Sequence, residues 1–542
     1  MEPGESGAGS ASRQITRAVG LISLMVMLSR VLGFVRDALI AAQFGQNAIT
    51  DAYLYAFTLP DTLWMWVAGG AFYAAYVPVI TAYLTRGEEE AAWKTFSVIS
   101  TFLFLALSVA IPLCWIFARP ILHHVLAPNF PDHAYVEGFG EVKPLSMAVQ
   151  MTRIVLPAQY CFFLGTLMMG YQQAKKQFLL PTVGPVIYNL GIILGGLLFA
   201  RSLGVMAYSW GALGGAIVGN LLLQIWGVRG LGLRFRPSLE LGFPGVRRVG
   251  KLVLPVIFGV SLPQATAIVN GMFVASIESA KSILEYGNRL MQLPLGIFGQ
   301  AIGIAVLPTL SQQAAQQDDH RFRETLAFGV RLALFLTVPA SALLMVLAEP
   351  LITVVFQRGN FTAADTANAV PALMLYALGV AAWSTQAVVA RAFYARGETW
   401  TPVLAGTTVT FLLFIPLNFL FRPLFHIEGT PLATRGPALA ASLAATANVL
   451  ILLLFAHRRF GGIHARGIAG SLAKTLAASL ALGLAAAAVS QGVAAILPSG
   501  HGRALVQLAV GGLTGLAAFL SASFLLRSPE LRQAAGLLRR CR

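Results

Sequence analysis

The sequence predicts an all-α polytopic membrane protein with about 14 transmembrane helices. Three observations indicate this class. Of the 542 residues, 57% are hydrophobic and only 11% are charged, whereas a soluble chain carries about 25% charged residues. Apolar runs long enough to cross a bilayer as helices recur along almost the whole chain. The net charge of +16 in so apolar a chain indicates basic cytoplasmic loops rather than a nucleic-acid partner.

The predicted spans form two groups of six and a final pair. Prolines and glycines inside several of them are typical of transporters with bent or broken helices. The spans lie near 18–44, 49–84, 92–118, 147–174, 180–201 and 208–228, then near 250–276, 283–313, 326–347, 366–395, 400–421 and 435–456, and finally near 470–497 and 504–526.

This spacing predicts six segments along the chain. The first is rich in Gly and Ser, and the last is rich in Arg. They are a disordered cytoplasmic N-terminus (1–17), an N-lobe of six spans (18–228), a cytoplasmic linker (229–249), a C-lobe of six spans (250–456), a closely packed or lipid-groove pair (457–526) and a basic cytoplasmic tail (527–542).

The two groups of six resemble one another. Asp51 ahead of Leu59-Pro60 recurs as Glu285 ahead of Leu293-Pro294, in the same order within each group. Parallel repeats of this kind predict two lobes related by a pseudo-two-fold axis, with a substrate cavity between them.

Lysines and arginines in the short loops predict the orientation. With a cytoplasmic N-terminus, that side receives about two to three times as many basic residues as the other, as the positive-inside rule requires. An even number of spans then places both termini in the cytoplasm.

Polar residues interrupt the first span at Ser29, Arg30, Arg36 and Asp37, and three of them are charged. Each charge costs about 2.5–3.5 kcal/mol at the centre of a membrane helix. Arg30 and Asp37 are seven residues apart and share a helical face, as do Ser29 and Arg36, and Gly33 between them is a point where the helix can open. One aspartate does not neutralise two arginines. The pattern predicts either a cationic site in a membrane cavity or an Arg–Asp pair that joins helices.

Span eight carries Arg289, with Glu285 four residues earlier on the same face. Arginine suits phosphate because its planar group donates paired hydrogen bonds. The three arginines therefore favour an anionic ligand in a central cavity, and the alternative for Arg289 is a buried pair with Glu285.

Other polar residues in the spans are less specific. Asp61 follows Leu59-Pro60, where capping or packing is the favoured role. Arg153 suits a cavity or a helix interface equally, and Asn189 is expected to bond between helices. Three scattered cysteines and the loop histidines lack metal-site spacing. Because nucleotide-binding and hydrolytic motifs are also missing, we predict no metal, no cofactor and no enzymatic activity.

Five stretches carry a family resemblance. They are SRVLGFVRD (29–37), TDAYLYAFTLPD (50–61), GGAFYAAYVP (69–78), QFLLPTVGPVIYN (177–189) and YGNRLMQLPLGIFGQAIGIAVLPTLS (286–311). With these stretches, the chain resembles the MurJ (MviN) family of lipid II flippases, within the multidrug/oligosaccharidyl-lipid/polysaccharide exporter superfamily.

The resemblance implies a non-enzymatic flippase of peptidoglycan and cell-wall biogenesis. It would move lipid II, the undecaprenyl-pyrophosphate-linked disaccharide-pentapeptide, from the inner to the outer leaflet of the bacterial inner membrane by alternating access. The expected partners are lipid II and membrane lipids, and we expect a monomer. The alternatives are a related exporter of another polyprenyl-linked glycan or of a drug. A membrane glycosyltransferase is disfavoured because loop 119–146 carries only scattered acids.

The resemblance also implies the site. Its substrate-binding residues correspond to Ser29, Arg30, Arg36, Asp37, Ser282 and Arg289, with Asp37 pairing Arg36 when the site is empty. Asp61, Arg153, Glu285 and Gln292 are secondary candidates. The chain departs from the family pattern at Trp64 and Gly69, where a basic residue and a glutamate are frequent, and at Gln292, where a glutamate is. Acidic residues of a sodium site in spans seven and eleven are also missing, so the coupling ion stays open.

Overall fold

The computed structural model describes residues 5–67, 70–425 and 435–531. Almost all of them are helical, and 11 helices in this described part are long and apolar enough to cross a membrane. Contacts divide the chain into two compact units, Met1–Ser276 (unit 1) and Ile277–Arg542 (unit 2). The predicted all-α, multi-spanning class is confirmed, and the count of 14 spans stays a prediction.

Unit 1 is built from helices and one small hairpin. Its strands β1 (Ala134–Val136) and β2 (Gly140–Val142) are antiparallel. Its helices are α1 (Glu5–Phe44), α2 (Ala48–Val67), α3 (Gly70–Thr85), α4 (Glu89–Ile116), α5 (Ala118–Pro120), α6 (Pro144–Val155), α7 (Ala158–Ala174), α8 (Leu179–Leu203), α9 (Met206–Gly215), α10 (Leu223–Arg229) and α11 (Pro244–Val274), with π-helical turns at Ile121–Leu126 and Ala216–Leu222.

Three expected segments of unit 1 can be compared with its helices. Residues 5–17, for which disorder was expected, form the first turns of α1, because lengthening a helix costs less than starting one. Helices α2 and α3 cover the described part of the second expected span, 49–84. The fourth expected span corresponds to α6 and α7 with a turn at Leu156–Pro157 between them, since proline lacks the N–H that a continuous helix needs.

The segment after α10 stays with unit 1. Residues 230–243, expected as a linker, lie along α4, where the backbone N–H of Arg236 donates to Ser97 Oγ (3.1 Å) and that of Ser238 donates to Thr101 Oγ1 (3.3 Å). The next helix, α11, was expected to open the C-lobe, but it packs on α2, α3 and α4 and falls within unit 1. Two symmetry-related lobes of six spans stay a prediction.

Helices α8 and α9 pack backbone to backbone. A Cβ added to Gly191 would lie 2.6 Å from the Cα of Gly215, and one added to Gly195 would lie 2.7 Å from the Cα of Gly211. Small residues permit this approach, which is favoured in membranes because close packing replaces the hydrophobic effect. The glycine seam fixes α8, and α8 also packs against α1.

The regular elements of unit 2 are all helices in its described residues. In it α14 packs on α16 and α20, α16 on α19, and α20 on α22. Its helices are α12 (Ala280–Pro294), α13 (Ala301–Ala315), α14 (Asp319–Val346), α15 (Ala348–Val355), α16 (Ala363–Ala395), α17 (Trp400–Val409), α18 (Ile415–Phe425), α19 (Arg435–Arg459), α20 (Ala465–Ile496), α21 (His501–Val506) and α22 (Gly512–Leu525), with π-helical turns at Leu295–Gln300, Thr410–Phe414 and Gln507–Gly511.

The start of the expected basic tail packs onto unit 2. Ser528 is 1% exposed and Glu530 is 3% exposed. Glu530 accepts a hydrogen bond from Ser471 Oγ at 2.9 Å and lies 3.6 Å from Arg331 Nε. A buried carboxylate needs such partners, so this segment is part of the unit. The tail beyond residue 531 lies outside the described residues.

Candidate functional site

Arg36 and Asp37 lie on α1, which packs against α8. The Arg36 side chain is 16% exposed and that of Asp37 is 12% exposed. Charges so far from water are stable only when paired and hydrogen-bonded. Their partners therefore show how the unit tolerates them.

Arg36 pairs with its neighbour in the chain. Its Nε donates to Asp37 Oδ1 at 2.9 Å, and its Nη2 lies 2.8 Å from the same oxygen. The seven-residue spacing had placed Asp37 on the face of Arg30. The long arginine side chain instead folds back to the adjacent carboxylate. The pairing of Arg36 with Asp37 agrees with what the resemblance implied, while a role in substrate binding stays a prediction.

Asn189 of α8 connects two residues of α1. It accepts from Arg36 Nη1 through Oδ1 at 3.3 Å, and its Nδ2 donates to Ser29 Oγ at 3.2 Å. Nδ2 also lies 3.1 Å from the carbonyl of Pro185, one turn earlier in α8. The amide thus fixes both the height of α1 along α8 and the direction of the guanidinium.

The edge of Arg36 that contacts Asp37 is chemically suited to an anion with two oxygens. The Nε and Nη2 donors form the edge of guanidinium that suits a bidentate acceptor. Here both donors point at one oxygen, Asp37 Oδ1. A phosphate would give each donor an oxygen of its own, while Asn189 keeps its bond to Nη1. The phenols of Tyr53 and Tyr188 lie within electrostatic range of Arg36, so polar groups from three helices surround it.

The other candidate residues of α1 differ in their contacts and exposure. Ser29 joins the network through Asn189 and is partly buried. Arg30 lies on an exposed part of the helix. Gly33 does not open the helix, because α1 is continuous from Glu5 to Phe44. A Cβ added at Gly33 would meet nothing within 4 Å, which leaves open space beside the helix at this height.

Two secondary candidates of unit 1 have definite places. Helix α2 continues through Pro60, so Asp61 does not cap a new helix; it lies on an exposed face with Trp64, which is 37% exposed. Arg153 donates from Nε to the carbonyl of Trp115 at 3.1 Å, and its guanidinium carbon lies 4.5 Å from the centre of that ring. Arg153 therefore lies at a helix interface. Gly69 lies outside the described residues.

In unit 2, α12 presents one polar face. Arg289 Nε lies 3.0 Å from Glu285 Oε1, with side chains 37% and 27% exposed. Gln292 continues the same face, at helical spacing, and is exposed. The expected local pair is present, and it is not deeply buried.

The opposite face of α12 is packed into the unit. A Cβ added at Gly287 would lie 3.0 Å from the backbone N of Leu373 in α16. This close contact with α16 turns Glu285, Arg289 and Gln292 outward. Ser282, seven residues before Arg289, shares their face, but it lies in the first turn of the helix and is 0% exposed, and its hydroxyl donates to the carbonyl of Ser279 at 2.9 Å.

Metal-binding groups do not assemble in the described part of the chain. Within 5–67, 70–425 and 435–531, no three His, Cys, Asp or Glu side chains are placed to hold a metal ion. His133 Nδ1 instead lies 2.9 Å from Glu141 Oε1 across the hairpin.

Asn189 is the residue whose importance the sequence did not disclose. An interhelical hydrogen bond was expected of it, and one is present, but its partner is the arginine of the candidate site. The available signal was its position four residues after Pro185 and directly after Tyr188 in α8. Only the crossing of α1 and α8 identifies its partner.

The described helices of membrane-spanning length define a class: a polytopic α-helical membrane protein, with charged pairs held on α1 and α12. Solved structures support this fold. One described as "Lipid II flippase MurJ, inward closed conformation" covers 94% of this chain and 99% of its own, with 23% identity and a TM-score of 0.74. An inward-facing multidrug resistance MATE family transporter covers 82% of this chain and 98% of its own, with 12% identity and a TM-score of 0.62.

Sequence comparison identifies the particular family. Residues 40–498 match the family model described as "Lipid II flippase MurJ". The lipid II flippase MurJ of Burkholderia cenocepacia is 30% identical over 459 residues, 83% of this chain and 84% of that protein. A probable lipid II flippase MurJ of Vibrio cholerae is 29% identical over 470 residues, 86% of each chain. This chain belongs to the MurJ family.

The family match and the α1 cluster are separate observations. The matched residues begin at Ile40, so they include α12 but not Ser29–Asp37. The geometry around Arg36 is therefore an observation independent of the family match.

Proposed function

We propose that this protein is a lipid II flippase that moves the undecaprenyl-pyrophosphate-linked peptidoglycan precursor from the inner to the outer leaflet of the bacterial inner membrane. The observation that carries this proposal is the match of residues 40–498 to the lipid II flippase family. Transport of this kind requires binding and a change of access, without a covalent step.

Arg36 is proposed to bind the pyrophosphate. In the arrangement described, Asp37 Oδ1 accepts from both Nε and Nη2. Pyrophosphate offers two oxygens to the same edge, and a bidentate contact with an anion is strong. The ion pair between Asp37 and Arg36 would break when the phosphate binds and would form again after its release. The ligand changes the balance between two states of the transporter only by binding one of them more tightly, and this exchange of partners supplies such a difference.

Arg289 is proposed to be the residue of unit 2 that binds the pyrophosphate. Its distance of 3.0 Å to Glu285 Oε1 and its 37% exposure favour the same exchange of a carboxylate for a phosphate. Arg30, exposed on α1, would add a further positive charge. Gln292 and Ser282 are the proposed uncharged contacts to the sugar or its linkage, with Ser282 requiring a rearrangement because it is buried.

We further propose an inner-membrane monomer with both termini in the cytoplasm, from the asymmetry of Lys and Arg. Single cysteines in a chain whose native cysteines are replaced by Ser test this orientation. Tyr135→Cys in the hairpin, where Tyr135 is 77% exposed, should react with a membrane-impermeant maleimide in intact cells. Glu88→Cys, beside the first turn of α4, should react only after lysis. Reaction of Glu88→Cys in intact cells would show that the orientation is opposite to the one proposed.

The test of function is complementation of a bacterium whose own lipid II flippase can be switched off. The wild-type chain should restore growth and cell shape, and Arg36→Ala should not. Arg153→Gln is the matched control, because it removes an arginine of unit 1 that contacts Trp115 instead. A wild-type chain that accumulates in the membrane and binds pyrophosphate, but does not restore growth, would indicate a different polyprenyl-linked glycan.

A further inference from the structure

We propose that unit 2 carries a second binding site, for a small zwitterion such as an amino acid or a peptide end that presents both an ammonium and a carboxylate. The site is a cavity of about 380 Å³ between α15, α16, α21 and the turn at Ser499–Gly500. None of its lining residues belongs to α12. The proposal is therefore independent of the flippase mechanism above.

Two opposite charges line this cavity without pairing. Glu349 lies in the first turn of α15, and Arg503 lies in α21. Within the part of the chain that the structure describes, neither side chain has an ion-pair partner, including the other. A ligand with one positive and one negative group would satisfy both charges, and arginine in particular binds carboxylate with paired hydrogen bonds.

The polar groups around these charges are already held in position. Thr366 is 3% exposed, and its hydroxyl donates to Gln357 Oε1 at 3.0 Å. Gln507 is 8% exposed, and its Nε2 donates to the carbonyl and to the hydroxyl of Ser490, at 2.9 and 3.1 Å. These bonds fix side chains that line the cavity before any ligand enters, which lowers the entropy cost of binding.

The size and the charges together select the ligand class. Ligand sites span about 300–1,000 Å³, so a cavity of about 380 Å³ suits one or two amino-acid residues. A simple anion near Arg503 would be repelled by Glu349, and a simple cation near Glu349 would be repelled by Arg503. Such repulsion excludes simple anions and simple cations, and it contributes more to the specificity of the site than to its affinity.

The experiment is calorimetric titration of the purified full-length protein in detergent with three probes. They are alanylalanine, its N-acetyl form, which lacks the ammonium, and its amide, which lacks the carboxylate. The zwitterion should bind at least about tenfold more tightly than either blocked form, since each lost charge leaves a protein charge without its partner. Arg503→Gln should lower affinity for the zwitterion to that of the amide, and Glu349→Gln should lower it to that of the N-acetyl form.

Arg358→Gln is the control, because Arg358 is exposed, lies just after α15 and donates only to the carbonyl of Val354, at 3.0 Å, among the contacts described. It should leave all three affinities unchanged. Thermal unfolding confirms that each variant is folded, and the doubly reversed Glu349→Arg, Arg503→Glu variant should recover the preference for the zwitterion. Equal affinity for the three probes, or no binding at 10 mM, which is about the weakest affinity of interest, would overturn the proposal.

Competition identifies the source of the zwitterion. If lipid II displaces alanylalanine, the peptide of the transported precursor is the ligand. If lipid II does not displace it, a free amino acid or peptide is the ligand. Both outcomes support the site, and neither depends on whether Arg36 binds pyrophosphate.

Discussion

Arg36 of unit 1 and Arg289 of unit 2 each pair with a carboxylate on their own helix, but different contacts hold them. Arg36 and Asp37 are adjacent in sequence, 16% and 12% exposed, and tied to α8 through Asn189. Arg289 and Glu285 are one turn apart, 37% and 27% exposed. The first pair is joined to a second helix through Asn189, and the second pair is the more exposed of the two.

The difference predicts how far substitutions at each pair affect folding and how far they affect binding. A buried charge left without its partner is strongly destabilising, and a more exposed pair at i,i+4 contributes less. Variants of Arg36 should therefore affect both folding and binding. Variants of Arg289 should affect folding less, and this contrast orders the following predictions.

The largest effect is expected at Arg36. Arg36→Ala should abolish complementation and destabilise the protein by about 3 kcal/mol, because Asp37 loses its partner in a poorly hydrated place. Arg36→Lys keeps the charge and should fold, yet lose at least about tenfold in lipid II affinity because a point charge cannot make the bidentate contact. Binding to purified protein and thermal unfolding measure the two effects. Normal growth with both variants would show that Arg36 has no part in transport.

The next effect tests Asn189. Asn189→Asp gives Arg36 a second carboxylate, so pyrophosphate should bind about tenfold more weakly, while the added ion pair leaves the protein folded. The double variant Asp37→Asn, Asn189→Asp returns the number of carboxylates to one and should recover much of the affinity. Titration with inorganic pyrophosphate is the measurement. A double variant as weak as the single one would mean that Asn189 acts only in packing α8 against α1.

A smaller effect is expected in unit 2. Arg289→Lys and Arg289→Ala should both reduce lipid II affinity severalfold, with less than about 1 kcal/mol of destabilisation. Glu285→Gln removes the competing carboxylate and should tighten binding. Substantial unfolding of Arg289→Ala would place this arginine in a structural network like that of Arg36 and remove the contrast.

The smallest effect is expected at Trp64. Trp64 shares an exposed face of α2 with Asp61, one turn earlier, and a face that carries a carboxylate is expected to contact water. Trp64→Arg should accumulate normally, because the new arginine gains Asp61 as a neighbour at i,i+3. On a face that contacts lipid, the same change would cost about 2.5 kcal/mol or more. Loss of the protein from membranes, with Trp64→Leu normal, would show such a face.

The sequence predicted what depends on composition and local spacing. Apolar runs predicted the multi-spanning helical class, and the four-residue spacing predicted the Glu285–Arg289 pair. Both follow from helix geometry alone. The position of Asn189 beside Arg36 could not be predicted, because it depends on the crossing of α1 and α8, and that crossing depends on packing between residues far apart in the chain.

The assignment of α11 shows the same limit. Its sequence resembles the start of a second repeat, yet its contacts with α2, α3 and α4 place it in unit 1. Hydropathy gives the length of a span but not its neighbours, since an apolar face packs against lipid or another helix alike. Likewise, Glu530 is buried through a contact with α20, and Ser528 is buried beside it. The basic sequence of the tail does not predict this burial.

The glycine seam between α8 and α9 makes the protein vulnerable to very small mutations. Gly191 lies two residues after Asn189, and a Cβ added there would meet the Cα of Gly215 at 2.6 Å, with backbone on both sides. A single added methyl group would therefore displace α8 and carry the amide away from Arg36. A substitution as mild as glycine to alanine, which changes no charge, is expected to act as a loss-of-function allele.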